Sequence, residues 1–220
     1  MTRLVTDYLD ISAEKFPNKV AFADEQREIT FSQVKNEAQK IAMGIIELGL
    51  FKKPVAIFLD KSVECINAFM GTAYSGNFYT PIDTKMPLSR IGKIMTTLEP
   101  AVIITDQKHK AACKEFAGDK TVLVYEELMD NTIDNVLLEN SKDKIIDSDI
   151  LYVLFTSGST GNPKGVIIGH RSVIDYTEWV TETFAIDDKH IFGNQAPFYF
   201  DNSVLDIYQT GLSSKVCKLF

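Results

Sequence analysis

One segment of the sequence combines glycines, hydroxyl side chains and a lysine as anion-binding loops do. Residues 156–165 read TSGSTGNPKG and directly follow a predicted strand. The glycines permit backbone conformations closed to other residues, so that main-chain N–H groups can approach an anion closely. The hydroxyl groups donate to phosphate oxygens, and Lys164 supplies a compact positive charge. The segment therefore predicts a polyphosphate site that comprises Thr156, Ser157, Gly158, Ser159, Thr160, Gly161 and Lys164.

Two other phosphate-binding patterns do not fit this segment. Counted from Gly158, a P-loop needs glycine before the lysine and Ser or Thr after it, but the chain has Pro163 and Gly165 there. No G-x-G-x-x-G pattern is present either, which disfavours a dinucleotide-binding loop. The alternative is a flexible hairpin loop between two strands, which is the usual role of a segment rich in Gly, Ser and Thr.

A second candidate for chemistry is Asp201, in the segment FYFDNSVLDIY of residues 198–208. A carboxylate held behind Phe200 in a partly dry pocket stays ionised only if a cation accompanies it. The same residue could instead cap a helix, because Asp-Asn-Ser precedes a run of apolar residues. The residues alone leave both roles open. Asp206 is expected on that helix in a solvated or capping role.

Short apolar strands alternate with amphipathic helices along the chain. Val55 to Leu59 has the length and composition of a buried parallel strand, and Val63 to Tyr74 shows helical spacing. Further helices are predicted over residues 4–16, 30–48, 88–98, 108–116 and 172–184, and further strands over 20–23, 78–82, 102–105, 121–124, 150–155, 165–168 and 190–195. The alternation predicts an α/β fold with mixed, mostly parallel sheets flanked by helices.

A polar stretch divides the chain into two predicted lobes. Residues 131–149 are poor in aromatics and weakly periodic, which is typical of a surface connection. We therefore predict a first α/β lobe over residues 1–140, and the start of a second lobe, with the phosphate loop, over residues 141–220. Val216, Leu219 and Phe220 look like the beginning of a strand that does not finish, so we expect the second lobe to be incomplete. A naturally ending edge strand is the alternative.

Composition and charge exclude several classes of protein. The net charge is −7 with scattered Lys and Arg, so the sequence lacks the basic footprint of a nucleic-acid-binding protein. No apolar run approaches the roughly 18 residues of a membrane-spanning helix. The first residues turn polar too early for a signal peptide, and we expect a cytoplasmic protein.

Cysteines, histidines and the bulky aromatics carry no further predicted site. Cys65, Cys113 and Cys217 form no C-x-x-C pair, so we expect reduced, mostly buried thiols. The three histidines lack metal-ligand spacing, and no metal site is predicted from them. Trp179 and Phe184 are expected in the hydrophobic core.

The whole loop sequence, LYVLFTSGSTGNPKG at residues 151–165, resembles the signature of the adenylate-forming enzymes. These include acyl-CoA synthetases, luciferases and the adenylation domains of nonribosomal peptide synthetases. Residues 29–34 and 77–83 match further motifs of that family, and the resemblance covers nearly the whole chain. Residues 194–208 look most like amino-acid adenylation domains, in particular ligases that charge D-alanine onto a carrier protein for teichoic acid esterification.

The resemblance implies the fold, a two-step reaction and roles for particular residues. A small amino acid, D-alanine above others, would react with ATP and Mg²⁺ to give an acyl adenylate, which passes to the phosphopantetheine thiol of an acyl carrier protein. The loop residues would clamp the β and γ phosphates, and Asp201 would bind the substrate ammonium group. Relatives are longer, and their catalytic lysine lies in a C-terminal domain beyond Phe220, so no catalytic residue is expected in this chain and the fragment alone is expected to be inactive.

Two rival functions stay open. An acyl-CoA synthetase for a simple carboxylic acid would share the phosphate loop but would leave the Asp201 carboxylate without a cationic partner. A non-catalytic nucleotide-binding fragment would bind ATP without releasing pyrophosphate.

Overall fold

A computed structural model describes residues 3–156, 162–187, 189–213 and 216–220, which form helices packed on two β-sheets. The helices are α1 (Val5–Lys15), α2 (Phe31–Ile46), α3 (Val63–Tyr74), α4 (Leu88–Leu98), α5 (Lys110–Ala117), α6 (Tyr125–Leu128), α7 (Asn135–Lys142), α8 (His170–Thr183) and α9 (Asn202–Ser213). The strands are β1 (Val20–Ala23), β2 (Glu28–Thr30), β3 (Pro54–Phe58), β4 (Phe78–Pro81), β5 (Val102–Thr105), β6 (Thr121–Val124), β7 (Ile150–Thr156), β8 (Lys164–Gly169), β9 (Ile191–Asn194) and β10 (Val216–Leu219).

The strand order confirms the predicted mixed, mostly parallel α/β fold. The six-stranded sheet has the order β6-β5-β3-β4-β7-β8, and all its neighbours are parallel except the antiparallel pair β7 and β8. The four-stranded sheet has the order β2-β1-β10-β9, with only β2 antiparallel to its neighbour. Each sheet includes strands from both sides of residue 140. The division into lobes at 1–140 and 141–220 stays a prediction.

Local sequence signals account for the centre of the fold. The apolar strand β3 is buried over four of its five residues, as expected for an inner strand of a parallel sheet covered on both faces. Helix α2 begins with a capping box, in which the Thr30 hydroxyl accepts from the Gln33 N–H and the Gln33 side chain accepts from the Thr30 N–H. Helices α2 and α3 pack against each other and belong to the main hydrophobic core.

Several predicted elements are confirmed, and two expectations are wrong. The bounds of α3, α4, β5 and β6 match the predictions, and β10 forms where the final strand was expected. The stretch 131–149 is not simply a connection, because it contains α7, whose first N–H groups donate to the Asp134 carboxylate. Trp179 and Phe184 are 56% and 64% exposed rather than buried, and their rings lie edge-on to each other on the surface.

The three cysteines are free and buried, as predicted. Within the described ranges, no helix has the length and apolar character needed to cross a membrane.

Glycine is required where α3 crosses α2. A Cβ on Gly71 would lie 2.6 Å from the Ile41 Cβ and 2.7 Å from the Ala38 carbonyl oxygen, and backbone at that distance cannot easily move aside. Gly92, also inside a helix, has open space at the same position. The two helices therefore approach each other more closely than an alanine at position 71 would permit.

We expect Gly71→Ala to lower the free energy of unfolding by about 1–3 kcal/mol through overpacking. The matched control, Gly92→Ala, should raise it by up to about 1 kcal/mol because alanine is the better helix former. Urea unfolding followed by circular dichroism measures both. Equal effects of the two substitutions would contradict the close packing of α2 on α3.

A buried histidine joins the first helix to α8. His170 is 2% exposed, and its Nδ1 accepts a hydrogen bond from the Val5 N–H at 3.3 Å. Burial lowers the pKa of His170 to about 4, and the nearby carboxylates, chiefly Asp149, only partly offset this. The accepting nitrogen is available only in the neutral ring, so protonation removes the hydrogen bond to α1.

Because the folded-state pKa of His170 is depressed, the unfolded chain binds the proton first as the pH falls. The stability that neutral His170 supplies is therefore full above pH ~6.5 and is lost progressively down to pH ~4, by about 2 kcal/mol between pH 7 and pH 5. This loss of stability is measured by comparing the free energy of unfolding at pH 7 and pH 5, for the natural chain and for His170→Gln. If the variant loses as much stability as the natural chain over this interval, His170 is not the titrating group.

Candidate functional site

The candidate site lies where the parallel strands end. In the six-stranded sheet β6, β5, β3, β4 and β7 run in the same direction, so the residues that follow them gather at one edge. Ligands of open α/β sheets bind at this carboxyl edge. The predicted phosphate loop follows β7, and it therefore starts from the edge at which binding residues are expected.

The two ends of the phosphate loop are held together by strand pairing. Thr156 and Lys164 are direct partners in the antiparallel pair of β7 and β8, and the Thr156 hydroxyl donates to the Lys164 carbonyl oxygen at 3.4 Å. Both residues are exposed, which leaves the Lys164 ammonium group accessible. The other predicted phosphate ligands, Ser157, Gly158, Ser159, Thr160 and Gly161, lie outside the described residues.

The hairpin requires a glycine directly after Lys164. A Cβ on Gly165 would lie 2.8 Å from a methyl carbon of Val153 and 3.4 Å from the Phe155 ring on the partner strand. A side chain at this position would push the two strands apart next to the loop. The glycine thus permits the close approach that holds Thr156 beside Lys164.

Asp201 directly precedes α9 and is exposed. Its backbone carbonyl accepts from the Val204 N–H at 3.0 Å, which starts the first turn of the helix. Among the described residues no group donates to its carboxylate. The Asp201 side chain therefore makes no hydrogen bond that would cap α9. The partly dry pocket expected around Asp201 is also not formed by the described residues.

Asp201 lies near the strand that leads into the phosphate loop. Burial raises the pKa of Tyr152 in β7 to about 12, and the negative charge of Asp201 adds to this effect. Tyr152 precedes Thr156 by four positions on the same strand. The phosphate loop, which follows β7, and Asp201, whose charge acts on Tyr152, are therefore both linked to this strand.

A cluster of aromatic side chains packs between the strands and helices that lead to the two predicted sites. The rings of Tyr79 in β4 and Phe69 in α3 stack with centroids 4.2 Å apart, and Tyr79 is tilted against Tyr152 at 5.6 Å. The hydroxyl groups of Tyr79 and Tyr208 share a hydrogen bond of 2.7 Å, although both residues are almost completely buried. Phe198, three residues before Asp201, packs edge-on against Phe69. The cluster joins β4, β7 and α9.

A groove of about 870 Å³ runs along the same edge. Its walls include residues after β3 and β4 and the segment before Asp201, among them Asp60, Lys61, Asp83, Phe198 and Tyr199. Acidic side chains outnumber lysines in its lining, but several are paired within the chain. Although burial raises the pKa of Asp60, hydrogen bonds from Lys108 and Thr84 bring it below its ordinary value.

The structure shows polar contacts at the ends of the segment that carries Asp201, and sequence reasoning did not identify them. Lys61, after β3, donates to the Asn194 carbonyl oxygen across 133 positions of sequence. The Asn194 side chain donates to the Asp206 carboxylate at 2.9 Å. Asp206 lies on α9 as predicted, but it is half-buried rather than solvated, and burial raises its pKa. No short motif signals these contacts, because they join separate strands and helices.

Comparison with known proteins assigns the family. A family model described as AMP-binding enzyme matches residues 9–214. The chain therefore belongs to the AMP-binding enzyme family, which confirms the resemblance to adenylate-forming enzymes.

Curated relatives and solved structures agree with this assignment. The chain is 31% identical over 229 residues to a D-alanine--D-alanyl carrier protein ligase of Listeria innocua, covering 97% of this chain and 42% of that protein. It is 32% identical over 210 residues to the ligase of the same name from Staphylococcus aureus, covering 93% of this chain and 40% of the relative. The chain thus spans about two fifths of the length of these relatives.

Two solved structures share the fold. The nonribosomal peptide synthetase FmoA3 matches with a TM-score of 0.86 at 20% identity, over 99% of this chain and 23% of that one. VinN matches with a TM-score of 0.85 at 18% identity, over 98% of this chain and 56% of that one.

Proposed function

We propose that residues 1–220 form the N-terminal part of an ATP-dependent ligase that adenylates a small amino acid and transfers it to a carrier protein. D-alanine is the favoured substrate, because the similar curated proteins are named D-alanine--D-alanyl carrier protein ligases. The proposed acceptor is the phosphopantetheine thiol of the carrier protein, and the product would serve teichoic acid esterification. The reaction would take place in the cytoplasm, where ATP is supplied.

The observation that carries the amino-acid assignment is the accessible carboxylate of Asp201. Some carboxylates have cationic partners within the chain, as Asp60 has in Lys108 and Glu37 has in Arg27. Asp201 has no ion pair with a described residue, yet its charge acts on Tyr152 of β7, the strand that leads into the phosphate loop. The ammonium group of an amino acid supplies the missing positive charge, whereas a plain carboxylic acid does not.

The phosphate loop supplies the other half of the site. Thr156 and Lys164 are exposed and are paired across the two strands at the carboxyl edge of the sheet, so a hydroxyl group and an ammonium group are available there for the β and γ phosphates of ATP. Ser157, Gly158, Ser159, Thr160 and Gly161 would complete the phosphate contacts. Mg²⁺, which prefers oxygen ligands and binds through substrate phosphates, would neutralise part of their charge.

The proposed chemistry needs no nucleophile from this chain. A carboxylate oxygen of the amino acid attacks the α-phosphorus of ATP, the bond to the bridging oxygen breaks, and pyrophosphate leaves. The carrier thiol, after losing its proton, then attacks the acyl carbon and AMP leaves. Asp201 orients the amino acid through its ammonium group, and Lys164 stabilises the charge on the leaving pyrophosphate, so that the contribution of these residues is positioning and electrostatics.

The test is amino-acid-dependent exchange of pyrophosphate into ATP by the full natural protein that contains these residues. D-alanine should stimulate exchange and propionate, which has the same skeleton without the amine, should not. In Asp201→Asn the KM for D-alanine should rise by about 100-fold, because a desolvated charge pair loses one partner, while the KM for ATP changes less than about threefold. Asp119→Asn, which alters an exposed carboxylate between α5 and β6, is the matched control and should change neither.

Other outcomes assign other functions. Exchange with propionate but with no amino acid would keep the phosphate site and remove the ammonium site, as in an acyl-CoA synthetase. ATP binding without exchange for any acid would indicate a non-catalytic nucleotide-binding protein.

A further inference from the structure

The segment that carries Asp201 is short, and it is held at its two ends and by the buried ring of Phe198, which packs against Phe69. Residues 195–201 connect β9 with α9. At the α9 end, the Ser203 hydroxyl donates to the Phe200 carbonyl oxygen at 2.7 Å, and the Val204 N–H donates to that of Asp201. Inside the segment, the Phe200 N–H donates to the Pro197 carbonyl oxygen at 3.0 Å. The position of Asp201 therefore also depends on what holds the β9 end, at Asn194.

Lys61 holds the β9 end from the other sheet. It follows β3, an inner strand of the six-stranded sheet, whereas β9 is an edge strand of the four-stranded sheet. The Lys61 Nζ donates at 2.8 Å to the carbonyl oxygens of both Asn194 and Phe220, and it lies 5.7 Å above the Phe198 ring. One ammonium group thus contacts the residue before the 195–201 segment and an aromatic ring within it.

The half-buried carboxylate of Asp206 is connected to this lysine through Asn194. The Asn194 side chain is fully buried, and its Nδ2 donates to Asp206 at 2.9 Å and to the Ser203 carbonyl oxygen at 3.4 Å. Burial lowers the pKa of Lys61 and raises that of Asp206, and each group partly offsets the effect on the other. Lys61, Asn194 and Asp206 therefore form one connected set that spans both ends of the segment.

We infer that Lys61 is a positioning residue for the amino-acid substrate, because it fixes the segment that presents Asp201. The inference rests on the proposed function, since it assumes that Asp201 binds the substrate ammonium group. A charge-assisted hydrogen bond between these groups requires about 2.7–2.9 Å, and a displacement of 1 Å is enough to weaken it strongly.

The experiment measures pyrophosphate exchange and amide hydrogen exchange in Lys61→Met, Lys61→Arg and Lys85→Met of the full natural protein. In Lys61→Met the KM for D-alanine should rise about tenfold with little change in the KM for ATP. Lys61→Arg, which keeps the charge and donors, should recover most of this loss. Lys85 is exposed and lies in the same groove, so Lys85→Met is the charge-matched control and should behave as the natural protein.

Hydrogen exchange gives a second measurement that needs no catalysis. The amides of Phe200, Ser203 and Val204 should exchange about tenfold faster in Lys61→Met, while those of α2 and α3 should keep their natural rates. A uniform acceleration across the chain would mean general destabilisation and would overturn the positioning role.

The outcomes separate this inference from the proposed function. If the natural protein shows no amino-acid-dependent exchange, the proposed function fails and the positioning role falls with it, even where the local amide effect is found. If the KM for D-alanine rises in Asp201→Asn but not in Lys61→Met, the proposed function stands and the inference about Lys61 is overturned. Equal rises in the KM values for D-alanine and ATP in Lys61→Met would also overturn it.

Discussion

Tyr79 makes the contact on which the arrangement of the site depends. Its ring stacks on Phe69 of α3 and meets Tyr152 of β7, and its hydroxyl group is hydrogen-bonded to Tyr208 of α9. Strand β7 leads into the phosphate loop, and α9 begins next to Asp201. A single side chain from β4 thus joins the strand before one candidate site to the helix after the other. The aromatic contacts and the shared hydrogen bond fix their relative orientation, because a buried hydroxyl without its partner is costly.

Charge is arranged differently in the scaffold and at the site. Asp10 on α1 is bound by Lys35, Lys142 and the Tyr74 hydroxyl, and although burial raises its pKa, these partners bring it below the ordinary value. Arg27 in the same way meets Glu37 and Glu64. These pairs tie helices and strands together. In the proposed function, the accessible Asp201, with no ion pair to a described residue, and the exposed Lys164 would instead meet the positive and the negative group of the ligand.

Much of the fold was predictable from the sequence, because it follows local patterns. The uninterrupted apolar run of β3 and the helical spacing of α3 each identify their elements, and the order of strands and helices indicates a parallel sheet. Helix α7 was missed because its sequence is polar and its start depends on one Asp134 cap. Trp179 was placed wrongly in the core, because residue type alone does not reveal that its face of α8 is left uncovered by the described chain.

The candidate site was only partly predictable for the same physical reason. The phosphate loop is continuous in sequence, so its composition alone is enough to predict it. The segment that carries Asp201 is anchored by residues from separate elements, and the contact of Lys61 with Asn194 has no local signal. Sequence reasoning could name Asp201 through a family resemblance, but not the residues that hold it in place.

The most direct test of the account is a crystal structure of the full natural protein with a non-hydrolysable D-alanyl adenylate analogue. If Asp201 binds the substrate ammonium group, the ammonium nitrogen of the analogue should lie within about 2.7–2.9 Å of an Asp201 carboxylate oxygen, the distance of a charge-assisted hydrogen bond. The account also predicts Asp201 covered by the bound analogue and Lys61 still donating to Asn194. An analogue bound with its ammonium group facing another residue, and Asp201 left in solvent, would contradict it.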